Sequence, residues 1–330
     1  MTIKDDARIV FLDQGSLFPD NLNWKDWSSF GTPVKFFSHT LPSQVDERIK
    51  DATVVVTNKV VINQAHIRSN PKLQCICVVA TGTNNIDLQA ANECNVVVCH
   101  ARDYGTESVA QHTWMLILAL SNRLLEYQRL ISDGRWSRHP SFALLDPPKI
   151  ELTGKVLGIV GLGTLGRAVA DKASTFGMRV CALKSHHRKT QEGPDSVTRH
   201  TLDELLQVSD VLSLHCPLDD SNRHFINSKT LRLMKSSAFL INTARGGLVD
   251  HDALLEALRE GIIAGAALDT LDVEPPPHDH PVLEARLPNL IVTPHNAWGS
   301  QLSRQTLVNQ TLENIQAFLS GTPTRRVQGS

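Results

Sequence analysis

The sequence predicts an α/β protein with parallel sheets, and three observations carry that expectation. Short apolar runs alternate with helical segments along almost all of the 330 residues, the pattern of repeated βαβ units. A glycine-rich turn, Gly161-Leu162-Gly163-Thr164-Leu165-Gly166, lies mid-chain between a strand-like run and a helix-like one. Polar or glycine-rich loops follow the apolar runs, at the carboxyl ends where open parallel sheets take their ligands.

The elements of a first unit are strands at 7–12, 54–57, 73–80 and 96–99. A long apolar helix is then expected from Ser108, with Ser108-Val109-Ala110-Gln111 at the spacing of a capping box. It stays apolar through Leu120 on nearly all sides, as a helix buried on several faces does, and is a candidate bridge between domains. Residues 133–148 carry aromatics but little periodicity, and read either as an extension onto another subunit or as a surface loop. The second unit has strands at 155–160, 179–183, 211–215, 239–242, 264–268 and 290–293. A helix over 303–319 closes the chain, stopped by Gly321 and Pro323.

The glycine turn has a physical reading. The first glycine permits a tight turn, the second lets the backbone approach a pyrophosphate, and the third lets helix and strand pack closely. Free N–H groups at the helix start then receive the anion. Strand before and helix after is the context that a dinucleotide site demands.

Bulk properties exclude other classes. With 20% charged residues and a net charge of −1, the chain has no electrostatic footprint for nucleic acid or an anionic membrane. Its densest apolar stretch, Trp114-Met115-Leu116-Ile117-Leu118-Ala119-Leu120, is far shorter than the ~20 residues of a membrane span. The N-terminus has no basic-then-apolar signal pattern, so a cytoplasmic protein is expected. Cys75, Cys77, Cys94, Cys99, Cys181 and Cys216 are scattered and read as ordinary reduced core thiols, with Cys75 and Cys77 on one strand face. His278 and His280, flanking Asp279, read as solvated, and no metal site is expected.

Three loops carry a resemblance. Asn242-Thr243-Ala244-Arg245-Gly246-Gly247 follows one strand, Leu268-Asp269-Thr270-Leu271-Asp272-Val273-Glu274-Pro275 the next, and Thr293-Pro294-His295 the last. With the glycine turn upstream at this distance, the chain resembles the D-isomer-specific 2-hydroxyacid dehydrogenases over nearly its whole length. Ala80-Thr81-Gly82-Thr83-Asn84-Asn85-Ile86-Asp87, residues 104–113 and Glu151-Leu152-Thr153-Gly154-Lys155 resemble the glycerate dehydrogenase (hydroxypyruvate reductase) type. The resemblance implies a Rossmann-type, doubly wound parallel cofactor domain at 104–296. It is inserted into a flavodoxin-like substrate domain formed by 1–103 and 297–330. It also implies a homodimer and a small 2-keto or 2-hydroxy acid as substrate, hydroxypyruvate/D-glycerate or glyoxylate/glycolate. The competing class is an NAD(H)-sensing, corepressor-like regulator on the same fold.

Reducing a 2-keto acid requires a hydride, a proton donor and a clamp for the carboxylate. By resemblance His295 is the acid–base residue, and Glu274 accepts a hydrogen bond from its other ring nitrogen, fixing the tautomer and favouring the imidazolium. Arg245 holds the carboxylate, since a guanidinium offers a planar fork of donors that matches it. By the same resemblance, backbone N–H groups of Thr81, Gly82 and Thr83 complete the clamp, and Lys59 reads either as facing the substrate or as a solvated strand-end lysine. Around the dinucleotide stand Gly161, Gly163, Thr164, Leu165 and Gly166 at the pyrophosphate. By resemblance, His215, Cys216 and Pro217 form a loop near the adenosine side. The same resemblance sets Thr243 and Ala244 beside the nicotinamide ribose and Asp269 at the carboxamide, where Asp269 also reads as a simple strand-end cap.

Two positions depart from the family pattern. An acidic residue is expected ≈ 20 residues past the glycines to receive the ribose hydroxyls. Lys184 stands there, followed by Ser185-His186-His187-Arg188-Lys189. A basic loop attracts a 2′-phosphate, so Lys184 and Arg188 favour NADP over NAD. The segment Phe142-Ala143-Leu144-Leu145-Asp146 is less aromatic than in glycerate-type relatives, which bears on substrate size.

Overall fold

The structure, a computed structural model, describes residues 7–184 and 197–327. The chain divides into two compact units, Met1–Gly105 with Gly299–Ser330, and Thr106–Trp298.

The first unit is built on strands β1 (Ile9–Phe11), β2 (Val34–Phe36), β3 (Val54–Thr57), β4 (Cys75–Val78) and β5 (Val97–His100). They form one parallel sheet in the order β2-β1-β3-β4-β5, the flavodoxin-like order. Strands β3 and β4 are buried at every residue, which is why they read as continuous apolar runs rather than alternating ones. The helix Gln301–Leu319 returns from the chain's end to pack on β4 and β5. Ser300 caps it, accepting from the Ser303 N–H.

The second unit contains β6 (Val156–Val160), β7 (Arg179–Leu183), β8 (Thr198–His200), β9 (Val211–Leu214), β10 (Phe239–Asn242), β11 (Gly265–Leu268) and β12 (Leu290–Val292). Their order is β12-β11-β10-β9-β6-β7-β8, all parallel. The chain runs outward from β6 to β8, returns beside β6 as β9, and then runs the other way. The place between β6 and β9 is therefore the switch point at which a doubly wound sheet binds its ligand. Helices cover both faces. Trp114, Leu116, Ile117 and Leu120 pack on one side with Leu157 and Ile241, and Leu205, Leu254 and Leu258 pack on the other with Leu212 and Leu240.

Several elements differ from the sequence expectation. Strands β2 and β8 are three-residue edge strands, partly exposed, so neither shows an apolar run. A further helix, Leu124–Ser132, has no counterpart among the expected elements; it begins after Arg123, whose left-handed φ of 55° ends the helix before it. That preceding helix spans Thr106–Ser121, so Ser108 lies inside it and the expected capping box does not start it. The Ser108 hydroxyl donates instead to the Ala297 carbonyl at 2.6 Å, tying the helix to the loop after β12. The helix is buried along most of its circumference, but Met115 is 46% exposed. All six cysteines are free; Cys94 is exposed rather than in the core. The Sγ atoms of Cys75 and Cys77 do share a face, 3.7 Å apart. Among the described residues no helix is long and apolar enough to cross a membrane.

Candidate active site

The three loops of the second unit leave the carboxyl ends of three neighbouring strands. β10 pairs with β11 through Asn242 and Leu268, and β11 pairs with β12 through Leu268 and Val292. Sheet register thus sets the Arg245, Glu274 and His295 loops side by side, although 50 residues separate the first from the last. Gly246 tightens the arrangement, because a Cβ there would overlap backbone atoms of Leu271 and Asp272.

His295 and Glu274 meet directly. The Nδ1 of His295 lies 2.6 Å from Glu274 Oε2, and the side chains are 28% and 32% exposed. The other carboxylate oxygen, Oε1, accepts the Leu271 N–H at 2.9 Å. A carboxylate held at both oxygens cannot rotate freely, so it presents one fixed acceptor to the ring. With Nδ1 so engaged, Nε2 is the ring nitrogen left for other chemistry.

The backbone of His295 is also held. Its φ of 48° lies in the left-handed region, sparsely populated for a residue with a Cβ. Its N–H donates to Asp269 O at 2.8 Å and Thr293 O at 3.0 Å, and its carbonyl accepts Trp298 Nε1–H at 2.9 Å. Asp269, 1% exposed, organises the same turn. Its carboxylate accepts from Thr293 Oγ1 at 2.6 Å, Asn296 N at 3.1 Å and Ala297 N at 3.0 Å. His112 stands behind it, with Nε2 3.0 Å from Thr293 Oγ1. Burial holds the His112 pKa below its ordinary value, against the pull of Asp269. Sequence reasoning missed His112 and Thr293, because their partners are distant along the chain.

Arg245 is half-buried, and its Nη1 donates to the Ala244 carbonyl at 2.7 Å. The buried Asn242 braces this loop, donating from Nδ2 to Arg245 O at 2.8 Å and accepting Ala244 N–H at 3.0 Å. Thr243 packs its hydroxyl 3.2 Å from that of Thr113.

The glycine turn follows β6 at the switch point. Gly161 has φ 95°, and a Cβ on it would come within 2.7 Å of Cys216 N and the His215 carbonyl. A Cβ on Gly166 would overlap the Gly161 carbonyl oxygen, whereas a Cβ on Gly163 would meet nothing within 4 Å. One glycine serves the turn, one the packing, and the middle one faces open space, which fits a pyrophosphate approaching the backbone. Gly163 is the N-cap of the Thr164–Asp171 helix and has no side chain to satisfy the N–H groups that follow. His215 and Cys216 lie directly across the turn, with the His215 N–H donating to Val160 O at 2.7 Å. Burial pushes the His215 pKa down to about 4 and that of Cys216 up to about 11, so both are neutral. The exposed Lys184 directly follows β7, its N–H donating to His200 O at 2.8 Å; Arg188 lies outside the described residues.

Within the first unit, Lys59 is exposed after β3, and its N–H donates to the buried Asp13 at 2.7 Å. Burial raises the Asp13 pKa although backbone N–H groups of Asn58, Lys59 and Val60 oppose that shift. Thr81, Gly82 and Thr83 form the turn after β4, where Thr81 O lies 2.8 Å from His100 Nδ1.

His280 corrects the sequence expectation. It is 6% exposed rather than solvated, whereas His278 is exposed. Its Nε2 lies 3.0 Å from Asp272 Oδ1, and His251 Nδ1 lies 3.0 Å from the same oxygen.

Comparison with known proteins agrees with this architecture. Residues 114–297 match the sequence profile of the D-isomer specific 2-hydroxyacid dehydrogenase NAD binding domain. The glycerate dehydrogenase of Methylorubrum extorquens is 36% identical, covering 97% of this chain and 99% of that protein. The hydroxypyruvate reductase of Blautia hydrogenotrophica is 34% identical, covering 96% and 98%. An NADPH-dependent glyoxylate/hydroxypyruvate reductase from Sinorhizobium meliloti, solved with NADP and malonate, superposes with a TM-score of 0.82. It is 25% identical, covering 98% of this chain and 97% of that one.

Proposed function

The chain belongs to the D-isomer-specific 2-hydroxyacid dehydrogenase family, and we propose that it reduces hydroxypyruvate or glyoxylate with Arg245, Glu274 and His295 as its reacting side chains. It is an NAD(P)-dependent oxidoreductase of small 2-keto and D-2-hydroxy acids. The regulatory alternative finds no support among its relatives.

The observation that carries the proposal is the 2.6 Å contact between His295 Nδ1 and Glu274 Oε2, on a loop adjoining that of Arg245. Arg245 binds the substrate carboxylate through its guanidinium. Thr81, Gly82 and Thr83 supply backbone N–H groups to the same carboxylate, and Lys59 adds positive charge. The bound dinucleotide supplies the hydride. As charge develops on the substrate oxygen, His295 gives it the proton from Nε2, while Glu274 holds the Nδ1–H and stabilises the ring's positive charge. In oxidation the same nitrogen removes the hydroxyl proton.

NADP is the proposed cofactor, because Lys184 replaces the acidic residue that would repel a 2′-phosphate. Thr164, Leu165, His215, Cys216, Pro217, Thr243, Ala244 and Asp269 line the dinucleotide in this reading. A second copy of the chain is the proposed partner, supported by exposed apolar side chains along one region, Met115, Leu124, Leu125 and Ile131.

The test is turnover of hydroxypyruvate, glyoxylate and pyruvate with NADPH and with NADH, read from reduced-nicotinamide absorbance. Hydroxypyruvate or glyoxylate with NADPH is expected to give the highest kcat/KM. Tight dinucleotide binding without turnover of any 2-keto acid overturns the reading.

A further inference from the structure

His251, Asp272 and His280 form a cluster whose ligand-type atoms all lie within 4.8 Å of one another. Such a set invites a divalent metal, and the hydrogen bonding argues for something else. The Val282 N–H donates to His280 Nδ1 at 3.2 Å, where the imidazole caps the Pro281–Glu284 helix. The ring's lone pair is therefore at Nδ1 and its proton at Nε2, which donates to Asp272 Oδ1. A neutral imidazole with that lone pair in use has none left at Nε2 for a metal. His251 reaches the same oxygen from Nδ1, and its Nε2 is buried without a partner. A proton on that Nε2 would be a buried donor with no acceptor, so the ring's proton sits on Nδ1 and donates to Asp272.

The positions of these residues give the cluster a consequence. His251 opens the helix His251–Arg259, six residues beyond Arg245. His280 ends the loop that carries Glu274. Asp272 lies between them, next to Leu271, whose N–H holds Glu274 Oε1. Its carboxylate is thus tied by one imidazole to the Arg245-bearing segment and by the other to the far end of the Glu274 loop. Gly246 packs against the same Leu271–Asp272 backbone.

We propose that His251 and His280 are positioning residues that act through Asp272. Together they lock the 271–274 turn so that Glu274 presents Oε2 to His295 while staying in register with Arg245. This inference rests on the acid–base reading of His295 and Glu274. Neither histidine is among the residues proposed to bind substrate or dinucleotide.

Three substitutions and one background test it. His280→Asn keeps an acceptor for the Val282 N–H but removes the donor to Asp272. His251→Leu removes the other donor, and His251→Asn restores a donor near the place of Nδ1. His280→Asn and His251→Leu are each expected to lower kcat about tenfold, on the scale of one hydrogen bond to a charged group. The KM for dinucleotide should not change, and the kcat–pH profile should move as it does in Glu274→Gln. His251→Asn should recover most of the loss. In a Glu274→Gln background neither substitution should lower kcat further. If His280→Asn does not fold, the His251→Leu and His251→Asn pair carries the same comparison.

A lowered melting temperature with kcat and pH profile unchanged overturns the proposal, as does full additivity in the Glu274→Gln background. Zinc ions that raise the melting temperature of the wild-type protein but not of Asp272→Ala make the cluster a metal site and also overturn it. If Glu274→Gln itself leaves kcat and the profile unchanged, the acid–base reading falls and takes this inference with it. If Glu274→Gln has its effect and the histidine variants have none, only the positioning inference falls.

Discussion

Gly246 lies against the peptide joining Leu271 and Asp272 so closely that even a methyl group on it would overlap backbone atoms. The loop bearing Arg245 and the loop bearing Glu274 therefore approach each other through main chain, and neither can yield without moving a proposed reacting group. Gly246→Ala should cost about 1–3 kcal/mol of stability, the usual penalty of overpacking. Displacement of either loop by an ångström should lower kcat on the order of 10²-fold. Urea unfolding and steady-state kinetics check both, and near wild-type kcat would show that the close approach does not set the site.

Replacing the proposed proton donor separates chemistry from binding. His295→Ala should lower kcat about 10²–10⁴-fold, the range assigned to a positioned acid–base group. Dinucleotide affinity, measured by fluorescence titration, should stay within about twofold, because each RT of lost binding is a factor of e and His295 is assigned to the substrate, not to the dinucleotide. A parallel loss of affinity would mean that the substitution disrupts the fold of the turn held by Asp269.

Glu274→Gln tests the electrostatic role. The amide still accepts a hydrogen bond but no longer offers an anion to the imidazolium. The protonated ring becomes less favourable, so the limb of the activity profile that reports it should move to lower pH, with a reduced kcat. An unmoved profile removes Glu274 from this role.

His215 predicts acid sensitivity. Burial lowers its pKa from 6.5 to about 4, so between those values the unfolded chain binds a proton that the folded chain does not. Its stabilising contribution is complete above pH 6.5 and is lost as pH falls towards 4. From pH 7 to pH 5 that loss is about 2 kcal/mol for this group alone. His215→Gln, which keeps a partner for Ser213 Oγ, should show a smaller drop in urea midpoint over the same interval than the wild-type protein.

The proposed NADP preference rests on the basic residues that follow β7 in the sequence. Lys184→Asp combined with Arg188→Ala should shift the NADPH/NADH ratio of kcat/KM towards NADH by about tenfold or more, since one hydrogen bond to a charged group is worth about 1.5–3 kcal/mol. A wild-type protein that already prefers NADH would contradict the reading of this loop.

Much of this molecule is legible in its residues. The buried parallel strands announce themselves as unbroken apolar runs, because both faces of such a strand are covered. The glycine turn carries its own context, strand before and helix after. The edge strands β2 and β8 are silent, since three partly exposed residues leave no pattern to detect. Ser108 misleads for a related reason: a serine followed three residues later by glutamine has the spacing of a cap, and only the fold shows that its hydroxyl has an acceptor at Ala297.

Composition and local pattern determined the α/β class, the place of the dinucleotide turn and the chemical types available at the strand ends. Resemblance implied the pairing of His295 with Glu274, but no local pattern did; tertiary structure decided which of those groups share a hydrogen bond. It brought His295 to Glu274, gave Asp269 the turn that holds His295, and buried His280 beside Asp272 and His251 where a solvated loop was expected. The division follows from range: strand and helix signals are written in neighbouring residues, whereas these contacts join residues up to 28 positions apart through sheet register, which no local pattern records.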